Sequence, residues 1–222
     1  MGLLRAELSR IGDPRSARSM QTYMKSEVPF HGVRAADVRR ISRDVFSDAQ
    51  FRTAAEWKST IWRLWDLSRY REERYAIIAL ARAKVSLPFQ TPAVLAIYRR
   101  MIETGAWWDY VDEIAIHSVG PIVRRYRQDA APIVLEWSRG PDLWVRRAAI
   151  LCQVGSKEET DLKLLEGCLL PSIPSREFFL RKAIGWALRQ TAKFNSAWVR
   201  RFVSMHEETL SPLSKREALR NL

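Results

Sequence analysis

Val145-Arg146-Arg147-Ala148-Ala149-Ile150 decides the fold, because versions of it recur along the chain. Glu73-Arg74-Tyr75-Ala76-Ile77, Leu180-Arg181-Lys182-Ala183-Ile184 and Lys215-Arg216-Glu217-Ala218-Leu219 share its pattern of charge followed by small and aliphatic residues. Aligning Arg74, Arg146, Arg181 and Arg216 gives steps of 72, 35 and 35 residues, and Asp112-Glu113-Ile114-Ala115 lies near the middle of the double step. A period of about 35 residues built on helix pairs is the signature of an α-solenoid. Consensus residues of the TPR and ankyrin types are missing, so HEAT-like repeats describe the pattern best. The expected fold is all-α, a single-domain solenoid over residues 1–222 with a concave basic face able to bind something long. An ordinary helical bundle with accidental similarity is the alternative.

The rest of the chain agrees with helix. Only 9 glycines occur in 222 residues, and Ala, Leu and Arg are abundant, which favours helix over sheet. Asp13-Pro14 reads as an N-cap followed by proline at the first helical position, opening a helix that runs to about Ser26. Further helices are expected at 36–46, 53–67, 72–85, 92–103, 110–126, 131–139, 143–155, 160–169, 176–194, 197–206 and 214–222. The intervening turns carry Pro88, Gly105, Gly140-Pro141, Pro171, Pro174 and Ser211-Pro212. No run of period-two strands stands out.

Charge points to a partner. The net charge is +12, and arginine supplies 29 of the 37 cations. Arginine's planar fork suits phosphate, so a polyanion such as nucleic acid is expected, against the alternative of a merely solvated basic surface. Cys152 and Cys168 sit in no CxxC or Cys/His pattern, which argues against a zinc site, and no cofactor is implied. The composition fits a reducing cytoplasm. The N-terminal residues lack a signal-peptide core, and no stretch is long and apolar enough to span a membrane. A monomer is expected.

Chemistry concentrates in Trp107-Trp108-Asp109-Tyr110-Val111-Asp112. Trp108 and Asp112 are four apart and share a face if a helix begins near Trp108. An Asp one turn from a Trp suits an electron-poor guest, although a packed Trp and a helix-start Asp explain the pair as simply. In the helix over 176–194, Lys182, Trp186, Arg189 and Lys193 form one stripe. Leu180, Ala183, Ile184, Ala187 and Leu188 form the apolar face opposite. An aromatic among cations is how proteins hold a nucleic-acid backbone beside a base or sugar, while the alternative has Trp186 filling a neighbouring repeat's groove. Tyr23, near the end of the first helix, reads by itself as a packing tyrosine. Of Arg146 and Arg147, one is expected to face the concave side. Lys182 as a Schiff-base nucleophile is set aside in favour of a phosphate contact. There is no GxSxG, Walker, GxGxxG or HExxH motif, and His31, His117 and His206 are scattered.

Six blocks in order carry a resemblance. They are Tyr23-Met24-Lys25, Leu64-Trp65-Asp66-Leu67, Trp107 to Asp112, Leu143 to Leu151, Phe178 to Arg189, and Leu213-Ser214-Lys215-Arg216-Glu217-Ala218. Together they resemble, almost end to end, the bacterial alkylpurine DNA glycosylases of the AlkD family, which are built of HEAT-like repeats. Carried over residue by residue, the resemblance implies Asp112 as the catalytic carboxylate, with Trp108 and Trp186 as the active-site tryptophans. It implies Tyr23 and Arg147 as DNA contacts, with Lys182, Arg189, Lys193 and Arg39 adding backbone affinity. The spacing leaves open whether Arg39 or Arg40 is the early contact.

The implied activity is hydrolysis of the N-glycosidic bond of purines alkylated at N3 or N7 in duplex DNA, leaving an abasic site. The cationic base leaves easily. The protein's task is then to stabilise the sugar as it turns cationic, with Asp112 kept ionised by its basic surroundings and Arg147 pinning a phosphate. Deep base flipping need not be part of it. The competing reading is a non-catalytic helical-repeat scaffold for nucleic acid or an acidic protein.

Overall fold

Helix starts lie where short polar side chains can cap them. In the computed structural model, which describes residues 1–220 and 222, Asp13 accepts the Ser16 amide at 2.8 Å and Pro14 takes the first helical position. Lys25, in the left-handed region at φ 47°, closes that helix two residues after Tyr23. Thr53, Asp142, Asp161, Asn195 and Ser211 cap later helices in the same way. Among the described residues there are fourteen α-helices and no strand. The expected all-α, helical-repeat fold is what the chain adopts.

The chain forms two compact units, residues 1–90 and 91–222. The first holds α1 (Gly2–Ile11), α2 (Pro14–Met24), α3 (Ala35–Val45), α4 (Ala54–Asp66) and α5 (Arg71–Arg82). The second holds α6 (Leu95–Gly105), α7 (Trp108–Ile114), α8 (Gly120–Arg125), α9 (Arg127–Arg139), α10 (Leu143–Leu151), α11 (Leu162–Leu169), α12 (Phe178–Ala192), α13 (Ser196–Met205) and α14 (Pro212–Ala218).

Several helices differ from expectation. α1 has no side-chain cap and so no start signal in the sequence. The helix expected over 110–126 starts at Trp108 and is split by a π-turn, Ala115–Val119. Pro121 lies just beyond, and its ring would press on the carbonyl four residues back; the wide turn gives it room. α9 begins a turn earlier than expected, since only Tyr126 separates it from α8. The expected helix over 214–222 spans Pro212–Ala218 instead, and Asn221 lies outside the described residues.

In the second unit, α7, α10, α12 and α14 pack each on the next. They are the helices that carry the 35-residue pattern. The apolar face of α12 is fully buried: Leu180, Ala183, Ile184, Ala187 and Leu188 are each at most 2% exposed. Burying each of the larger side chains contributes about 1.5–3 kcal/mol. Gly185 lies where α12 meets α14. A Cβ there would sit 2.5 Å from the Glu217 Cβ, so only glycine permits this approach.

The first unit is held partly by two carboxylates at the start of α5. Glu72 accepts the amides of His31, Gly32 and Val33 at 2.9–3.1 Å, fixing that loop. Gly32 has φ +84° and no room for a Cβ beside the Asp13 carbonyl. Glu73, wholly buried, accepts Arg5 Nε at 2.6 Å, Arg5 Nη2 at 3.0 Å and the Arg69 amide at 2.7 Å. His31 Nε2 lies 3.4 Å away, and its ring stacks on Tyr70. Burial alone would raise the Glu73 carboxyl, but hydrogen bonds from His31, Arg5 and the Arg69 amide outweigh it and hold the pKa at about 2.

Candidate active site

The site begins at a sharp turn. Ala106, left-handed at φ 41°, ends α6, and Trp107 is extended, so α7 opens at Trp108. The adjacent tryptophans therefore part company. The Trp107 ring packs with Trp144 and Phe179, at centroid distances of 5.8 and 5.6 Å, and those two lie 4.8 Å apart. Trp108 is half-buried on the helix, one turn before Asp112.

Asp112 meets Arg147 of α10 in a two-point pair. Nε donates to Oδ1 at 2.7 Å and Nη2 to Oδ2 at 2.8 Å, while Nη1 donates to the Phe179 carbonyl at 2.6 Å. Arg147 is only 4% exposed. Its fork is thus turned onto Asp112 rather than onto open surface where a phosphate would sit. This differs from the placement expected for a phosphate contact, and the reason is local: an arginine buried in a protein needs a partner carboxylate at hand. Asp112 itself has a perturbed carboxyl. Burial pushes its carboxyl above the ordinary aspartate value, the Arg147 fork opposes this in part, and the Asp109 charge adds to the rise. Arg147 links α7 to the backbone of α12, and Trp186 lies two turns beyond Phe179 on the same side of α12.

On α12, Trp186 is half-buried and lies outside the buried apolar face. Lys182 and Arg189 flank it, and both donate to Glu217 of α14: Lys182 Nζ to Oε1 at 2.7 Å, and Arg189 Nη1 to Oε2. The Lys182 hydrogen bond, outweighing a smaller effect of burial, holds the Glu217 carboxyl below its usual range, with Arg189 adding to it. Lys193, at the end of α12, is exposed. It also lines a cavity of about 370 Å³ with Lys157, Gln190 and Phe194. In the first unit, Tyr23 is 78% exposed on α2 and Arg39 is exposed on α3. Arg40 is paired with Asp37 and Asp44 of its own helix, at 3.4 and 3.7 Å; Arg39 has no ion pair among the described residues.

A family model described as DNA alkylation repair enzyme matches residues 4–222. The chain belongs to the DNA alkylation repair enzyme family. A solved structure described as a predicted DNA alkylation repair enzyme from Enterococcus faecalis has 29% identity to this member of the family, with a TM-score of 0.77. The similarity covers 95% of this chain and 96% of that one. Curated protein sequences contain no match.

Within this DNA alkylation repair chain, the second unit brings Trp108, Asp112 and Arg147 together, and separately groups Trp186, Lys182 and Arg189. Sequence reasoning missed Phe179 as the acceptor for Arg147, and Glu217. A signal for Glu217 exists: Asp112, Arg147, Lys182 and Glu217 fall at successive steps of 35 residues, one charged rung per repeat. Among the described residues no cluster of His, Cys, Asp or Glu could hold a metal, and no helix is long and apolar enough to cross a membrane. Both cysteines are buried, with the Cys152 thiol pushed up to about 12 by burial, which leaves it unreactive.

Proposed function

We propose that this DNA alkylation repair protein is a monofunctional glycosylase, hydrolysing the N-glycosidic bond of N3- or N7-alkylated purines in duplex DNA. The observation that carries the reading is Asp112, a carboxylate gripped at both oxygens by Arg147 and set one turn from Trp108. A cationic base is a good leaving group and needs no protonation. As the bond breaks, positive charge grows on the deoxyribose. A fixed carboxylate stabilises that charge without reorganising, and can orient or deprotonate the attacking water. The faces of Trp108 and Trp186 favour positive charge by about 0.5–2 kcal/mol per contact. Arg147 acts here as a positioning residue for Asp112. Lys193, Arg39 and Tyr23, all exposed, are assigned to the DNA backbone, and residues 1–222 are taken as one functional domain.

The direct test is incubation with duplex DNA carrying 7-methylguanine. Release of the free base and an abasic site is expected; tight duplex binding with no release would favour a non-catalytic scaffold. Two further results are expected. Arg147→Lys keeps the charge but loses the two-point grip, so single-turnover excision falls by about ten- to hundredfold while duplex affinity holds. Weaker binding with intact excision would instead return Arg147 to the DNA backbone. Acidification should also act early. The Asp112 pKa is raised, so the charged form is lost sooner as pH falls. The acid limb of the excision rate therefore lies above 3.8, the value of an ordinary aspartate. A limb at or below that value would remove Asp112 from the rate.

A further inference from the structure

Two of the three cations on the Trp186 stripe are already paired with a carboxylate. Lys182 and Arg189 each hold a different oxygen of Glu217. The side chain of Glu217 is 9% exposed, those of Lys182 and Arg189 40% and 20%, so the carboxylate lies beneath its cations. What fixes it there is the close approach of α12 and α14 at Gly185, reinforced by Ser214 Oγ donating to the Arg181 carbonyl at 2.9 Å. Two oxygens, each on its own cation, is the arrangement that the non-bridging oxygens of a backbone phosphate would offer. Glu217 also occupies the repeat position that holds Asp112 and Arg147 earlier in the chain.

We propose that Glu217 is a specificity-determining residue: its carboxylate occupies Lys182 and Arg189 and so limits the protein's grip on undamaged DNA backbone. The proposal rests on the glycosylase reading in that it places the Trp186 stripe against DNA. Phosphate neutralisation supplies affinity that is blind to sequence and damage, and each phosphate contact adds about 0.9 to the salt slope on duplex DNA. A repair protein is useful in proportion to its preference for lesions over the great excess of intact sites. Masking two cations lowers the indiscriminate part of binding and leaves the contacts of Trp108, Asp112 and Trp186 untouched.

The test measures binding to undamaged and 7-methylguanine-bearing duplexes across a salt series, for wild type, Glu217→Gln, Lys182→Met and the double variant. Glu217→Gln is expected to bind undamaged duplex several-fold tighter, with a salt slope steeper by about 1–2, and to lose preference for the lesion. Lys182→Met should change little on its own but should remove much of the gain in the double variant. An affinity and slope at or below wild type would overturn the proposal, as would a gain that ignores Lys182. Should Glu217→Gln melt at assay temperature, Glu217→Asp keeps the charge one methylene short of its cations and should show a smaller gain; no gain there counts against the proposal equally. Wild-type excision separates the two readings. If wild type binds and excises but the variants show no gain, the role of Glu217 alone falls. If wild type does not bind duplex at all, both fall.

Discussion

Asp112→Asn should all but abolish release of 7-methylguanine from duplex DNA, by at least about 100- to 1000-fold, while duplex binding stays within about twofold of wild type. The variant removes the negative charge that the proposed mechanism sets against the reacting sugar. It also turns an amide N–H toward one of the Arg147 donors, because the carboxylate now accepts at both oxygens, from Nε at 2.7 Å and Nη2 at 2.8 Å. The backbone affinity assigned to Lys193 and Arg39 does not depend on Asp112. Single-turnover excision beside a binding titration distinguishes the two effects. Retention of even a third of wild-type excision would sink the assignment of Asp112.

The second large effect concerns stability. Glu73→Gln should destabilise the first unit by about 3 kcal/mol, lowering the melting temperature by roughly 10 °C, because it strips Arg5 of a buried counter-charge and disturbs the hydrogen bonds to His31 and the Arg69 amide. The pH dependence has a definite sign. The folded pKa of Glu73, about 2, lies below its ordinary 4.5. Its contribution is therefore complete above about pH 4.5 and is lost as the pH falls toward 2. The Gln variant should start lower at neutral pH and lose less between those limits. Thermal melts of both proteins at pH 7, 4 and 3 check this; parallel loss in the two would mean that Glu73 carries no such stabilisation.

Much of the architecture was legible because it depends on local signals. Capping residues marked helix starts, and the apolar set of α12 buried as its periodicity required. The 35-residue period pointed to helices that pack in a row. What escaped was direction and distance. Nothing in Arg147 itself says whether its fork reaches outward to a phosphate or inward to a carboxylate on another repeat; that depends on how α7 and α10 pack. The basic composition around Asp112 likewise says nothing of its burial, which raises the carboxyl and which only the packing of α7 shows. The helix α1 went unread because it has no cap, and Glu217 because it was read as part of a repeat rather than as a partner for Lys182 and Arg189.

The π-turn at Ala115–Val119 can be seen as one surplus residue accommodated inside a helical segment. Each residue advances an α-helix by about 100°, so a surplus carried along a regular helix would spin everything after it by that amount. Upstream, Asp112 must keep its heading toward Arg147; downstream, Ile122 and Val123 must keep theirs toward the interior. The wide turn lets both headings be satisfied at once. It works as a phase adjuster between the turn that carries Asp112 and the turn that carries Ile122 and Val123, so that neither is dragged around the axis by the other.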